Sequence, residues 1–263
     1  MLLLEENVEH INSLENLTIK KIKKLKIKKY RESEKKFLAE GHKFLDFSYC
    51  PEIIVLRDDI IDDRKIINKI ERFSCRKIVV DNRIFSQLSS QENSQGVILV
   101  YPYCDSDTNT IDLDVIVLDK IQDPGNLGTI IRVADAAGFK DIILSKGSVD
   151  CYNEKVVRSS MGSIFNMNIV YLEESEIIKM LKEKNYKFIV TALEADSVEY
   201  TEMNLGKKNA IIFGSEGNGV GQNFLKTADE TVIIPIYGSA ESLNVAIASG
   251  IVIYKARELR NKI

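Results

Sequence analysis

Five short runs of almost unbroken apolar residues set the limits on this chain's fold: DVIVLD (114–119), DIILSKG (141–147), KFIVTAL (187–193), NAIIFGSE (209–216) and TVIIPI (231–236). Runs of this length with no polar alternation are strands buried on both faces. Segments of helical periodicity lie between and after them, at 126–137, 153–161, 174–183 and 243–260, with a further apolar run at 164–172. Strand-helix alternation of this kind predicts an α/β domain with a parallel sheet covered by helices on both sides. Ligands of such sheets collect at the carboxyl edge of the strands.

Three strand exits carry polar residues held between glycines. The first, Asp119 to Gly138, is DKIQDPGNLGTIIRVADAAG: a turn at Asp123-Pro124-Gly125, Asn126 at the expected N-cap, and an apolar helix with one charged interruption, Arg132. The second, AIIFGSEGNGVG (210–221), brings one acid, Glu216, into a glycine loop. The third, TVIIPIYGSAESLNVAIASGIVIYK (231–255), holds Ser242 and Asn244 ahead of a terminal helix. Arg132 alone reads equally as a solvated surface arginine. Set beside the other two exits, it reads as part of one polar site.

PGNLGTIIRVADAAG, FGSEGNGV and IPIYGSAESLNVAIA, in that order and at that spacing, resemble the three motifs of the TrmH/SpoU family. These SPOUT-superfamily enzymes methylate RNA ribose 2′-hydroxyls with S-adenosylmethionine. The resemblance spans roughly residues 112–263 and implies a deep C-terminal trefoil knot and a homodimer whose site forms between subunits. It puts Asn126, Arg132, Glu216, Ser242 and Asn244 on the polar active-site positions. Gly214, Ile234 and Leu243 fall on the main-chain cofactor contacts, with Thr191, Leu193 and Gly219 as neighbours. Arg132 matches the catalytic arginine, proposed to activate the hydroxyl or to hold the adjoining phosphate. A guanidinium is a poor base and an excellent bidentate phosphate clamp, which favours the second role. Glu216 is expected to orient Arg132 or the ribose, and Ser242 and Asn244 to fix the loop near the cofactor. Arg158 and Ser160, in VVRSSMG, resemble a family stretch near the RNA path and read equally as helix-end solvent contacts.

The first hundred residues are less marked. Residues 1–20 suggest a short helix or frayed arm resting on Leu14 and Leu17. KKIKKLKIKKYRESEKK (20–36) is strongly basic with interleaved apolar positions. It is either a solvated face or an electrostatic footprint for phosphates, the second gaining weight beside a methyltransferase domain. Its candidate RNA contacts are Lys23, Lys24, Lys28 and Lys29. FLAEGHKFLDFS has helical spacing; 53–58, 77–81 and 97–103 read as strands, 66–73 and 84–88 as helices. KKYRESEKKFLAEGHKFL also resembles the small α/β, ribosomal-protein-like substrate-binding domain that precedes many TrmH/SpoU enzymes. That places Arg31, Phe37, Glu40 and Gly41 in an RNA-facing corner, with Phe37 equally explained as core. The expected division is an N-terminal RNA-binding domain over 1–104, a polar linker over 105–112 and a methyltransferase domain over 113–263.

Whole-chain properties exclude more than they assign. A net charge of −3 does not advertise nucleic-acid binding, so distribution decides. The four cysteines are far apart and without a CxxC pair, and there are two histidines, which argues against a zinc site, a disulfide frame or a histidine-based mechanism. MLLLEENVEH is too short and acidic for a signal peptide, and no apolar run is long enough to span a bilayer; a cytoplasmic protein is expected. No GK[ST] follows GSEGNGVG, which removes a P-loop reading, and the loop comes too late for a dinucleotide fingerprint. The expected activity is S-adenosylmethionine-dependent ribose methylation, with no metal. The gripping domain favours ribosomal RNA; a tRNA enzyme and an inactive RNA-binding homologue are the alternatives.

Overall fold

The computed structural model describes residues 8–194 and 196–261. It divides into two compact units. One comprises the chain up to Cys104 together with Tyr152–Gly162; the other comprises Asp105–Cys151 and Ser163 onward.

The first unit is built on a five-stranded sheet. Its elements are β1 (Val8–Ile11), α1 (Leu17–Lys24), α2 (Lys28–Glu34), β2 (Lys36–Glu40), β3 (Ile53–Arg57), α3 (Arg64–Glu71), β4 (Arg76–Val80), α4 (Asn82–Leu88) and β5 (Val97–Pro102). The sheet order is β1-β4-β3-β5-β2, with β1, β4 and β3 parallel and β5 antiparallel to its neighbours β3 and β2. Ile19, Ile22, Ile84 and Phe85 close one face of the sheet over Leu38, Val55, Ile78 and Ile98.

Two expectations are corrected here. Phe37–Ser48 does not form a helix: β2 is followed by Gly41 at φ +119 and a short 3-10 turn, His42–Asp46. Phe37, Leu38 and Ala39 are all buried, so the run carries no alternation, and an apolar stretch of that length fits either period. The arm at 8–11 is a strand, paired in parallel with β4, and Leu17 is exposed rather than a contact.

The helix Glu154–Ser160, which lies between two strands of the second unit in sequence, packs on β2 within the first. Its entry is fixed by Tyr152, whose ring lies 3.9 Å from that of Tyr103 and 4.7 Å from that of Phe37. Its exit is fixed by Met161 in the left-handed conformation and Gly162 at φ +93. A Cβ on Gly162 would lie 1.9 Å from the Phe47 ring, so only glycine lets that ring approach.

The second unit is a seven-stranded, wholly parallel sheet in the order β10-β12-β9-β11-β6-β7-β8. Its elements are β6 (Val115–Leu118), α5 (Pro124–Ala136), β7 (Asp141–Ser145), α6 (the helix Glu154–Ser160 just placed), β8 (Asn168–Leu172), α7 (Glu174–Glu183), β9 (Lys187–Thr191), β10 (Val198–Glu199), β11 (Asn209–Phe213), α8 (Gln222–Thr227), β12 (Glu230–Ile233) and α9 (Val245–Arg260). Val115, Val117, Ile143, Val190 and Ile212 pack beneath Ile177, Leu181 and Phe224 of α7 and α8. The alternate positions Ile116, Ile142, Ile189 and Ile211 are equally buried, and α5 and α9 pack together, with α9 also against β11. Both faces are therefore dry, as the apolar runs require. The sequence reading omitted the short β10 and α8; a two-residue strand and a six-residue helix leave little periodicity to read.

Candidate active site

Strand register brings the three glycine-flanked exits to one edge. Leu118 of β6 lies beside Phe213 of β11, Ile212 beside Val190 of β9, and Thr191 beside Val232 of β12. All four strands run parallel, so the loops that follow them emerge together.

The first exit becomes α5 two residues earlier than its sequence suggests. The N-cap is Asp123, whose carboxylate accepts from the Asn126 amide at 2.8 Å, with Pro124 in the first turn. This corrects the expectation that Asn126 is the cap, and it frees the Asn126 side chain. The Asn126 amide Nδ2 donates to the Glu216 carboxylate, and its Oδ1 accepts from Nδ2 of Asn244 at 3.0 Å. Asn244 in turn caps α9 through Oδ1, accepting from the amides of Ala246 at 2.9 Å and Ile247 at 3.3 Å. One residue from each motif thus joins a single hydrogen-bonded relay, Glu216–Asn126–Asn244. Ser242 stands exposed two residues before the α9 cap, and no hydrogen bond of its side chain is seen among the described residues.

Arg132 is exposed on α5 and makes no hydrogen bond or ion pair among the described residues. It stands six residues along the helix from Asn126. An exposed guanidinium without an internal partner keeps its full capacity for a phosphate or carboxylate.

The glycine loop is closed on itself. Ser215 and Gly219 exchange both backbone hydrogen bonds, and Gly219 adopts φ +63. A Cβ on Gly214 would lie 2.1–2.3 Å from the backbone of Gly219 and Val220, so this position admits nothing larger than glycine. The sequence reading missed the residue that anchors this loop, Asp119. It is 1% exposed; one carboxylate oxygen accepts from the Gly221 amide at 2.8 Å and the other from the Ser145 hydroxyl at 2.7 Å. An acid at the end of an otherwise apolar strand was the available signal.

The residues assigned to cofactor contact line the same edge. Thr191 ends β9 and donates its hydroxyl to the Ile212 carbonyl at 2.9 Å; Ile234 follows β12 and is half-buried. Leu193, at 82% exposure, and Leu243 are exposed apolar side chains there, as are Ile236 and Tyr237. Among the described residues no cluster of acid, histidine or cysteine side chains could hold a metal ion.

The RNA-contact candidates lie in the first unit and separate into two groups. Lys23, Lys24, Lys28 and Lys29 are exposed on α1 and α2; Lys23 reaches Gln87 at 2.9 Å, Lys28 pairs with Glu32 at 3.7 Å, and Lys24 lies over the Tyr30 ring. Arg31 is buried at 3% exposure and donates to the carbonyls of Leu25 at 2.9 Å and Lys26 at 2.8 Å. Phe37 is wholly buried, Gly41 is buried, and Glu40 accepts from Ser89 and Ser90. Of the RNA-facing corner expected at these four positions, Arg31, Phe37 and Gly41 are therefore interior, and Glu40 is half-buried and engaged by the serines of the 82–91 stretch. Arg158 is half-buried on α6, and Ser160 is fully buried, its hydroxyl donating to the Val157 carbonyl at 2.8 Å.

Comparison with known proteins agrees with this geometry. Residues 114–254 match the SpoU rRNA Methylase family, and residues 16–99 match the MRM3-like substrate binding domain. The chain is 34% identical to the 23S rRNA (guanosine(2553)-2′-O)-methyltransferase RlmP of Bacillus subtilis, over 95% of this chain and 100% of that protein. An AdoMet-bound rRNA methyltransferase from Sinorhizobium meliloti superimposes with a TM-score of 0.85 at 30% identity, covering 96% of this chain and 98% of the other. The SpoU methyltransferase AviRb from Streptomyces viridochromogenes shares the fold, with a TM-score of 0.85 at 23% identity over 94% and 98% of the two chains. A family match over more than half of the residues, carrying all three glycine-flanked exits to one sheet edge, settles the kinship: the chain belongs to the SpoU rRNA methylase family.

Proposed function

We propose that this protein is an S-adenosylmethionine-dependent methyltransferase that modifies a ribose 2′-hydroxyl of ribosomal RNA. The observation that carries the reading is the Glu216–Asn126–Asn244 relay, which ties one residue of each motif together at the carboxyl edge of a parallel sheet. The full-length kinship to a 23S rRNA methyltransferase supports ribosomal RNA over tRNA.

The loops at this edge fit the cofactor. Gly214, Gly219, Ile234 and Leu243 would hold it mainly through backbone groups, with Thr191 and Leu193 alongside. When bound, the cofactor would supply an electrophilic methyl group on a sulfonium, with the ribose 2′-oxygen as its acceptor. The protein's part is to position the hydroxyl in line, clear water from it and let its proton leave. Positioning of that kind is worth about 7–11 kcal/mol of the barrier. Arg132 clamps the phosphate beside the reacting ribose. The relay holds Glu216 and the start of α9 in fixed register, and Ser242 shapes the loop between them.

Arg132 finds no partner among the described residues, which supports a homodimer in which the arginine completes the partner's site. In the same reading the C-terminal unit carries the deep trefoil knot that the resemblance to the TrmH/SpoU family implies. The first unit grips RNA through Lys23, Lys24, Lys28 and Lys29, with Arg158 near the RNA path and Arg31 left out as an internal strut.

The test is transfer of labelled methyl from S-adenosylmethionine to unmodified ribosomal RNA and, separately, unmodified tRNA, with the label mapped to alkali-resistant ribose positions. Label in ribosomal RNA alone is expected. Label in tRNA alone would overturn the substrate, and RNA binding without label in either would overturn the activity.

A further inference from the structure

The edge of the parallel sheet opposite the reaction site carries a second concentration of charge. A cleft of about 260 Å³ opens between the starts of β6 and β11 and the ends of α5 and α9, lined by Lys140, Lys207, Arg257 and Arg260 around Leu113 and Phe139. A neighbouring open cleft of about 550 Å³ shares Lys207 and adds Lys182, Lys187 and Lys208.

These cations fall into two classes. Arg260 is spent: it forms a bidentate pair with Asp114 and donates to the Gly206 carbonyl at 3.1 Å. Lys187 pairs with Glu230, and Lys208 with Asp112. Lys140, Lys182, Lys207 and Arg257 are exposed, and their charged groups have neither hydrogen bond nor ion pair among the described residues. The Arg257 guanidinium lies beside Gly138, whose added Cβ would stand 3.4 Å from Nη2, an ordinary contact distance. Helix dipoles account for Arg257 and Lys182, which sit in the last turns of α9 and α7. They do not account for Lys140 and Lys207, which precede β7 and β11 on loops.

We propose that these joined clefts bind the RNA sugar-phosphate backbone, as a second hold remote from the reacting edge. The inference rests on the RNA-substrate reading above. Two open clefts sharing one lysine, with unpaired cations spread along them, suit a chain of phosphates; a single small anion would call for donors converging on one point.

The test is binding of a fluorescent 40-nucleotide hairpin RNA of arbitrary sequence, without cofactor, over a salt series. For Lys140→Gln/Lys207→Gln/Arg257→Gln the expected result is at least about tenfold weaker binding and a log–log salt slope shallower by about 2, since each neutralised phosphate contributes about 0.7–0.9. An unchanged slope and affinity in a variant that melts like the wild type overturns the proposal. If the triple variant does not fold, Lys182→Gln/Lys207→Gln, both exposed and unpartnered, is expected to lower the slope by about 1–2. Inorganic phosphate at matched ionic strength is expected to leave the RNA bound; displacement of RNA by it, lost in the variant, would make this a small-anion site and overturn the RNA assignment. The assay needs no turnover, so a protein that fails to methylate still gives a decisive result.

Discussion

The two units use polar residues in opposite ways. In the parallel-sheet unit the motif residues are surface groups: Arg132, Glu216, Ser242 and Asn244 are all exposed, and the structure spends buried Asp119 and two asparagine hydrogen bonds to hold their loops in register. In the five-stranded unit two charged residues of the expected RNA-facing corner are taken up internally. Arg31 is buried against carbonyls and Glu40 is saturated by serines. A motif of charged residues can thus be chemistry or architecture, and exposure with unspent hydrogen-bonding capacity separates them.

That contrast breaks most readily at Arg132. Arg132→Ala removes a side chain with no hydrogen bond or ion pair among the described residues, so folding and S-adenosylmethionine affinity should stay unchanged. Turnover should fall by about 10²–10³-fold, the scale for losing one preorganised charge-stabilising donor. Isothermal titration and single-turnover methylation on the same preparation check both halves. Loss of cofactor affinity in a folded variant would move Arg132 from clamp to cofactor ligand.

The opposite outcome is expected in the first unit at Gly162. Gly162→Ala sets a methyl group against the Phe47 ring and strains a residue at φ +93, so stability should fall by about 2–4 kcal/mol, the range for overpacking together with an unfavourable backbone. Denaturant unfolding should show the loss, with cofactor affinity retained under native conditions. A variant as stable as the wild type would mean that Phe47 has room to swing away.

The basic face of α1 and α2 is intermediate. Replacing Lys23, Lys24, Lys28 and Lys29 by Gln should weaken RNA binding by roughly tenfold and flatten its salt dependence, with little change in melting temperature. Because Lys23 and Lys28 already have neighbours in Gln87 and Glu32, the slope should change by less than four full phosphate contacts would give. An unaltered slope would make this face a solvated one.

The same distinction explains what the sequence made legible. Every buried strand of the parallel sheet except two-residue β10 was readable, because a strand buried on both faces must be written in apolar residues, and the three loops were readable because glycine is needed where backbone approaches backbone, as at Gly214. The relay among Asn126, Glu216 and Asn244 was not, since hydrogen bonds across 90 and 118 residues depend on sheet register. Nor could periodicity tell that β2 is a strand, or that α6, written between two strands of one unit, belongs to the other. Local pattern encodes which face is dry; it does not encode which distant segment supplies the cover.

Glu154 on α6 gives the finest test of that cover. It is half-buried; burial, with repulsion from Glu40, outweighs the attraction of Lys26, Arg31 and Arg158 and holds its carboxyl above the usual glutamate range. A folded-state value raised above the unfolded one means that, between the two, the native chain holds more protons than the unfolded chain. Stability therefore falls as pH rises through that window, and the deficit persists above it. Glu154→Gln removes the titration. Its melting temperature should match that of the wild type near pH 4 and exceed it slightly near pH 8, with the difference opening across the window. A variant less stable than the wild type at pH 8 would show instead that Lys26, Arg31 and Arg158 more than offset burial. In that case Glu154 would be an ionic anchor for α6, and the charged motif of the first unit would owe its place to that anchor.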